Sequence, residues 1–157
     1  MSKMKEKLHK LFEYRDGELI RKVRAGSRGQ IGDSAGCLSG GRVRVRVEGK
    51  YYLRYRLIWI FHHGDIPDGL QVDHIDNTGL KSDDRIENLR LANGTQNMHN
   101  TKSKGYRWHK GAGKWEARIQ HQGKYIHLGS FKCETAARSA YIKAKNKLAK
   151  EYSPYVT

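Results

Sequence analysis

Val72-Asp73-His74-Ile75-Asp76-Asn77, followed by Asn88-Leu89-Arg90 and then Gln96-Asn97, is the stretch on which the reading of this chain turns. It sets a carboxylate, an imidazole and two carboxamides close together in sequence, with apolar residues between them. Leu70 to Ile75 predicts a strand, the polar run 76 to 87 a loop, and Leu89 to Ala92 a second strand. Thr95 is the expected N-cap of a helix starting near Gln96. In that order of elements the end of the first strand presents Asp73 and His74 beside the first helical turn, which carries Asn97. Asn88 stands at the mouth of the second strand.

Upstream, the N-terminal third reads as β-structure cut by turns at Gly17, Gly26, Gly29, Gly32, Gly36 and Gly40-Gly41. Within it, GRVRVRVEGKYYLRY (41 to 55) predicts a hairpin. Val43, Val45 and Val47 fall on one strand face, Arg42, Arg44 and Arg46 on the other, and Glu48-Gly49 supplies the turn. Strand rise puts those arginines roughly 6–7 Å apart, close to the spacing of phosphates along a DNA strand. An ordinary polar outer face is the alternative. Next, LRYRLIWIFHHG predicts a short helix ended by Gly64 and followed by Pro67, with His62 and His63 read as a helix terminus rather than as ligands.

Downstream, Lys102-Ser103-Lys104-Gly105 reads as a polar linker. Beyond it, GYRWHKGAGKWEARIQHQGKYIHLGSF predicts three short strands with turns at Gly111 to Gly113 and at Gln122-Gly123. Alternation puts Trp115, Ala117, Ile119, Ile126 and Leu128 on one face. Glu116, Arg118, Gln120, Tyr125 and His127 occupy the other, joined by Arg107 and His109 if Tyr106 and Trp108 point inward. ETAARSAYIKAKNKLAKEY then predicts a helix whose Ala137, Ala140, Tyr141, Ala144 and Leu148 cover the apolar face of the sheet.

Composition narrows the function classes. The chain has 157 residues, 37% of them hydrophobic, and a mean hydropathy of -0.84, which describes a soluble protein with a limited core. No apolar run approaches the ~20 residues of a membrane span, and the charged start MSKMKEKLHK is not followed by a signal-peptide core. An intracellular protein is expected. Cys37 and Cys133 form no CxxC or Cys/His cluster, so they predict reduced packing residues and no structural zinc. The net charge of +15 is unevenly spread. Residues 1 to 60 hold 15 Lys+Arg against 6 Asp+Glu, residues 61 to 100 hold 3 against 7, and residues 101 to 157 hold 13 against 3. Basic arms suit a polyanion, whereas an acidic centre would repel one unless a cation sat there.

Cutting a phosphodiester requires deprotonated water, a cation on the phosphate and relief of charge at the leaving oxygen. His74 suits the general base because imidazole titrates near working pH. Asp73 and Asn97 offer the oxygen ligands that a hard cation such as Mg²⁺ prefers. An Asp-His pair alone is also what a turn with a surface histidine looks like; the surrounding residues decide between the two.

Those residues are Arg56-Leu57-Ile58-Trp59, His63-Gly64, Val72-Asp73-His74-Ile75-Asp76, Arg85-Ile86-Glu87-Asn88-Leu89-Arg90, and Gln96-Asn97 with Asn100. From about Gly41 to Asn100 the chain resembles an HNH endonuclease of the homing type found in phages and mobile introns. The resemblance implies a ββα-metal site with Asp73 and Asn97 as metal ligands, His74 as base, and Asn88 pinning the loop that orients His74. With Asn97 closing the motif, it implies the H-N-N variant and a single divalent ion, Mg²⁺ or Mn²⁺. The chain departs from the pattern at Tyr55, where relatives often carry histidine, and in the loop NTGLKSDD (77 to 84), slightly longer than the usual turn.

Gly105-Tyr106-Arg107, Gly113-Lys114-Trp115, Ala117, Ile119, His127-Leu128-Gly129, Phe131, Glu134, Ala136-Ala137 and Ala140-Tyr141 carry a second resemblance. From Lys104 to about Tyr152 the chain resembles the DNA-binding domain of plant ethylene-response factors, which lays its three-stranded sheet in the major groove. By position Arg107, His109, Arg118, Gln120, Tyr125 and His127 inherit the contact face, the set that alternation also selects. The expectation is therefore an α+β protein. An N-terminal β-hairpin region leads into a ββα-metal nuclease domain over residues 1–101, and a three-stranded antiparallel sheet packs on one helix over residues 104–157. Its expected function is metal-dependent cleavage of duplex DNA, by a monomer or a dimer, in the cytoplasm of a bacterial or phage-infected cell and without a membrane partner. The rival is a non-catalytic, sequence-specific DNA-binding regulator on a nuclease-derived scaffold, which loss of His74 or Asn97 would have signalled.

Overall fold

Rich in lysine as it is, the N-terminus places Met4, Leu8 and Leu11 at the i, i+4, i+7 spacing of one helical face. That face folds onto the core. Helix α1 spans Lys3–Leu11 and buries Leu8 completely, in a region where the sequence predicted only strands and turns. The computed structural model describes residues 2–76, 83–100 and 103–153. Residues 77–82 of the expected loop, residue 101, and residue 102 of the expected linker lie outside them. The fold is mixed α+β, with four helices and several small antiparallel sheets among the described residues. The chain divides into two compact units, Met1–Ala92 and Asn93–Thr157.

In the first unit α1 leads into a hairpin of β1 (Phe12–Arg15) and β2 (Glu18–Arg21). Gly17 turns it at φ +85°, and a Cβ there would stand 2.9 Å from the backbone nitrogen of Arg85, so no other residue fits without strain. The expected arginine hairpin is β4 (Arg42–Val47) with β5 (Lys50–Leu53), closed by Glu48 and Gly49 at positive φ, the geometry that matches strand twist. A further strand, β3 (Cys37–Ser39), pairs with the free edge of β4. Val45 and Val47 are buried, while Arg44 and Arg46 are exposed.

Helix α2 (Arg54–His63) is the expected short helix and lies at the centre of the unit, against α1, β2, β4 and β5. Leu57 and Ile58 are fully buried, in one cluster with Leu8, Phe12, Leu19, Val45, Val47, Val72 and Leu89. Helix α1 caps its last turn: Lys5 Nζ donates to the His62 carbonyl at 2.7 Å and His9 Nε2 to the Phe61 carbonyl at 2.9 Å. The Lys5 ammonium there complements the helix dipole. His62 and His63 end the helix as expected, and burial lowers the pKa of His62. Strands β6 (Gln71–His74) and β7 (Leu89–Ala92) then form a two-stranded antiparallel sheet, β6 being slightly shorter than the predicted 70 to 75.

The second unit opens with α3 (Gly94–His99), whose N-cap is Asn93 rather than Thr95. Asn93 accepts from the Gln96 N–H at 2.9 Å while Gln96 Oε1 accepts from the Asn93 N–H at 2.8 Å. This reciprocal pair satisfies two donors at once, which Thr95 does not match. Helix α3 packs against α4 (Glu134–Ala149) and the closing 3-10 turn Lys150–Tyr152, and so belongs to this unit, although the sequence reading carried the first domain to residue 101. Strands β8 (Tyr106–His109), β9 (Lys114–His121) and β10 (Lys124–Phe131) pair antiparallel in the order β10-β9-β8. Gly105, at φ +70°, lies where any Cβ would strike the Tyr141 ring, so its lack of a side chain lets the entry to β8 lie against α4.

The fully buried face of α4 keeps Ala137 and Tyr141 of the predicted stripe and adds Lys145 and Ala149. It reads Ala137, Tyr141, Lys145, Ala149 at strict i+4 spacing, while Ala140, Ala144 and Leu148 are half-buried. Lys145 is 2% exposed, and burial pushes its pKa down to about 8. The cysteines also differ from expectation: both are free and exposed rather than packed. Cys133 sits at the N-terminus of α4, where a hydrogen bond with the Thr135 hydroxyl holds its thiol below the usual pKa. Among the described residues no helix is long and apolar enough to cross a membrane.

Candidate active site

Successive residues of a strand point to opposite faces, so Asp73 and His74 leave β6 on different sides. Asp73 lies opposite Arg90 of β7, whose Nε donates to its Oδ2 at 3.3 Å. The carboxylate is only 7% exposed, and a charge so far from water needs such a partner. His74, 4% exposed, shares a hydrogen bond of 2.8 Å between its Nε2 and Asp84 Oδ1. The ring of Tyr55 on α2 stands edge-on to the imidazole with centroids 4.8 Å apart, and burial raises the pKa of its phenol. Asp84 is itself 6% exposed, and its second oxygen accepts from Arg54 Nε at 2.9 Å. Arg54 Nη1 in turn stands 3.6 Å from Glu18 on β2. Glu18, Arg54, Asp84 and His74 thus form a line of polar contacts from the hairpin, through the start of α2, to the strand.

Asn88 holds the neighbouring backbone in place. Its Oδ1 accepts from the Asp76 N–H, its Nδ2 donates to the Asp83 carbonyl, and its own carbonyl accepts from the Ile75 N–H, each at 2.8 Å. Together these bonds tie the chain leaving β6 to the chain entering β7, and so carry Asp84 to His74. The Tyr14 hydroxyl, accepting from the Ile86 N–H at 3.1 Å, buttresses the same segment from β1. Asp83 is engaged by Arg85, whose Nε donates at 2.8 Å, and this bond holds the Asp83 carboxyl below the usual range. Asn88 closes the 3-10 turn Ile86–Asn88 immediately before β7, at the place the sequence assigned to it.

The first unit thus holds Asp73 against Arg90, His74 against Asp84, and Asn88 in the turn that carries Asp84. Asn97 is half-buried on α3 in the second unit. Sequence reasoning missed Asp84, Arg54 and Arg90. Arg90 was accessible from register, because two antiparallel strands ending at His74 and starting at Leu89 place it opposite Asp73. Asp84 carried a weaker signal, the doubled carboxylate of NTGLKSDD just before Arg85-Ile86-Glu87-Asn88.

Two basic surfaces complete the picture, each within its own unit. On β4, Arg42, Arg44 and Arg46 share the outer face; Arg42 Cζ lies 5.9 Å from the centre of the Tyr55 ring, and Arg46 Cζ lies 5.9 Å from that of Tyr51. In the second unit the register sets Arg107 opposite Glu116, Arg118 opposite His127 and Gln120 opposite Tyr125, so these side chains share one sheet face. Arg118 Cζ stands 4.8 Å from the centre of the Tyr125 ring, and Arg107 Nη2 donates to Glu116 at 3.2 Å. His109 also serves its turn, its Nδ1 accepting from the Ala112 N–H at 3.1 Å.

Among the described residues no group of three or more His, Cys, Asp and Glu side chains is placed to hold a metal ion. Asp73 in the first unit carries a carboxylate and Asn97 in the second a carboxamide, and each is the oxygen type of donor that a hard cation prefers. No curated protein and no solved structure matches the chain. Residues 52–99, from within β5 to the end of α3, match the family model described as HNH endonuclease. On this match the chain carries an HNH endonuclease domain at residues 52–99, and the family match suggests nuclease activity on DNA.

Proposed function

We propose that the chain is a metal-dependent endonuclease of the homing type that hydrolyses phosphodiester bonds in duplex DNA. The observation that carries this reading is the buried His74, held by an acidic partner and adjacent to Asp73, inside the segment that matches the HNH family. In this reading His74 accepts the proton of a water that attacks phosphorus in line with the leaving 3′-oxygen, giving 5′-phosphate and 3′-hydroxyl ends. Asp73 and Asn97 would hold one Mg²⁺ or Mn²⁺ ion, which would supply charge neutralisation on the scissile phosphate. Asn88 fixes the loop that orients His74.

Arg42, Arg44 and Arg46 contact the phosphate backbone, and Arg42 is suited to the scissile region by its place over Tyr55. Residues 104–157 act as the reader, presenting Arg107, His109, Arg118, Gln120, Tyr125 and His127 to the major groove, while residues 1–101 cut. The exposed Arg118–Tyr125 pair on a three-stranded antiparallel sheet supports that division. One active site per chain means that a monomer nicks one strand before the duplex breaks.

Incubation of the full-length chain with supercoiled plasmid, with Mg²⁺ or Mn²⁺ and with excess chelator, tests the reading. The expected result is relaxed plasmid first, linear plasmid later and no product in chelator. Uncut plasmid with either ion, alongside retained duplex binding, would favour the regulator instead.

A further inference from the structure

We infer that Asp84 is a positioning residue for this reaction: its carboxylate accepts the Nε2–H of His74 and fixes the neutral imidazole with its lone pair on Nδ1, the nitrogen that receives the water proton. The inference rests on the reading of His74 as the base. A carboxylate offers only acceptors, so the short contact between His74 Nε2 and Asp84 Oδ1, at 2.8 Å, places the proton of the neutral ring on Nε2. The other Asp84 oxygen is taken by Arg54 Nε at 2.9 Å, so the carboxylate cannot swing away without breaking a second charge-assisted bond. Both side chains are more than nine-tenths buried, where an ill-paired polar group is costly and a paired one is rigid.

The chain supplies each support separately. Asn88 fixes the Asp83 carbonyl at 2.8 Å, Tyr14 fixes the Ile86 N–H at 3.1 Å, and Gly17 packs on the Arg85 backbone, so the residues on both sides of Asp84 are tethered. The loop-pinning role of Asn88 thereby acquires a target, since what it delivers is the Asp84 carboxylate. In the step itself the water O–H bond breaks with its proton passing to Nδ1. Its electron pair forms the new P–O bond as the bond from phosphorus to the 3′-oxygen breaks. The leaving oxygen keeps that pair and takes a proton from solvent. Asp84 exchanges no proton; it sets which nitrogen is basic and where it points.

The test is the nitrogen spectrum of the full-length chain labelled with ¹⁵N at histidine, recorded above the titration of the imidazole, combined with single-turnover cleavage. The expected spectrum has a pyrrole-type Nε2 and a pyridine-type Nδ1 for His74. Asp84→Ala is expected to mix the tautomers and slow cleavage roughly 10–100-fold, the usual range for a residue that orients a reacting group, with duplex affinity unchanged. Asp84→Asn keeps an acceptor and should retain the tautomer and recover part of the rate. A wild-type His74 protonated at Nδ1, or Asp84→Ala cutting at the wild-type rate, overturns the inference. If Asp84→Ala does not fold, the wild-type spectrum and the Asn variant decide. If the wild type cuts no DNA, the reading of His74 as base fails, while the nitrogen shifts still show whether Asp84 sets the tautomer.

Discussion

Lys145 shows most plainly what a single residue can hide. In sequence it is one of several lysines on α4 that lie off the expected apolar stripe; in the fold it is 2% exposed between Tyr141 and Ala149 on the face of α4 that is buried. Its pKa is lowered to about 8 from an ordinary 10.5, so the folded chain releases its proton more readily than the unfolded one. The burial penalty is full below about pH 8 and vanishes as pH rises toward 10.5, so stability rises with pH through that window. Lys145→Met should therefore stabilise the second unit by up to about 3 kcal/mol at pH 7, and by progressively less above pH 8. Thermal denaturation of both proteins across that range checks it; an equal gain at pH 7 and pH 10 would contradict it. Asp73, His74 and Asn88 stand out in the sequence because their residue types suit the proposed chemistry. Asp84 does not, since a doubled aspartate in a polar loop reads as a solvated turn until the Asn88 hydrogen bonds are seen.

At the scale of elements, legibility followed periodicity. The arginine hairpin, α2 and the three-stranded sheet announce themselves through alternation or an apolar run, and all appear in the structure. Helix α1 was missed because its lysines mask a three-residue apolar stripe, and β3 because three exposed residues, Cys37, Leu38 and Ser39, have no pattern to show. Asn93 replaced Thr95 as cap because the reciprocal pair with Gln96 satisfies more of the helix N-terminus. The β1–β2 hairpin proves to be a support for the candidate site as well as part of a basic arm: Tyr14, Gly17 and Glu18 all reach the segment around Asp84 or its partner Arg54. Gly17→Ala should cost about 1–3 kcal/mol, from an unfavourable backbone conformation and the approach to Arg85, and should slow cleavage with little change in duplex affinity. Urea denaturation and single-turnover cleavage measure these two effects. A variant with wild-type stability and rate would show that the hairpin does not support the site.

At the scale of the whole molecule, charge runs along the sequence as two basic arms around an acidic centre. Arg44→Ala or Arg46→Ala, on the exposed face of β4, should weaken binding to every duplex and flatten its salt dependence, because phosphate contacts position without specifying. Arg118→Ala, on the exposed sheet face of the second unit, should instead relax preference at particular base pairs at ~1–3 kcal/mol each. Binding titrations on target and scrambled duplexes at several salt concentrations separate the two, and a uniform loss with Arg118→Ala would remove that face from base readout. The most direct test of the account as a whole is cleavage of an end-labelled duplex by the full-length chain and by His74→Ala, at saturating protein and in Mg²⁺, with binding measured in parallel. Loss of the base should slow cleavage by ~10²–10⁴ while leaving duplex affinity nearly unchanged. Cleavage at the wild-type rate by His74→Ala would contradict the account.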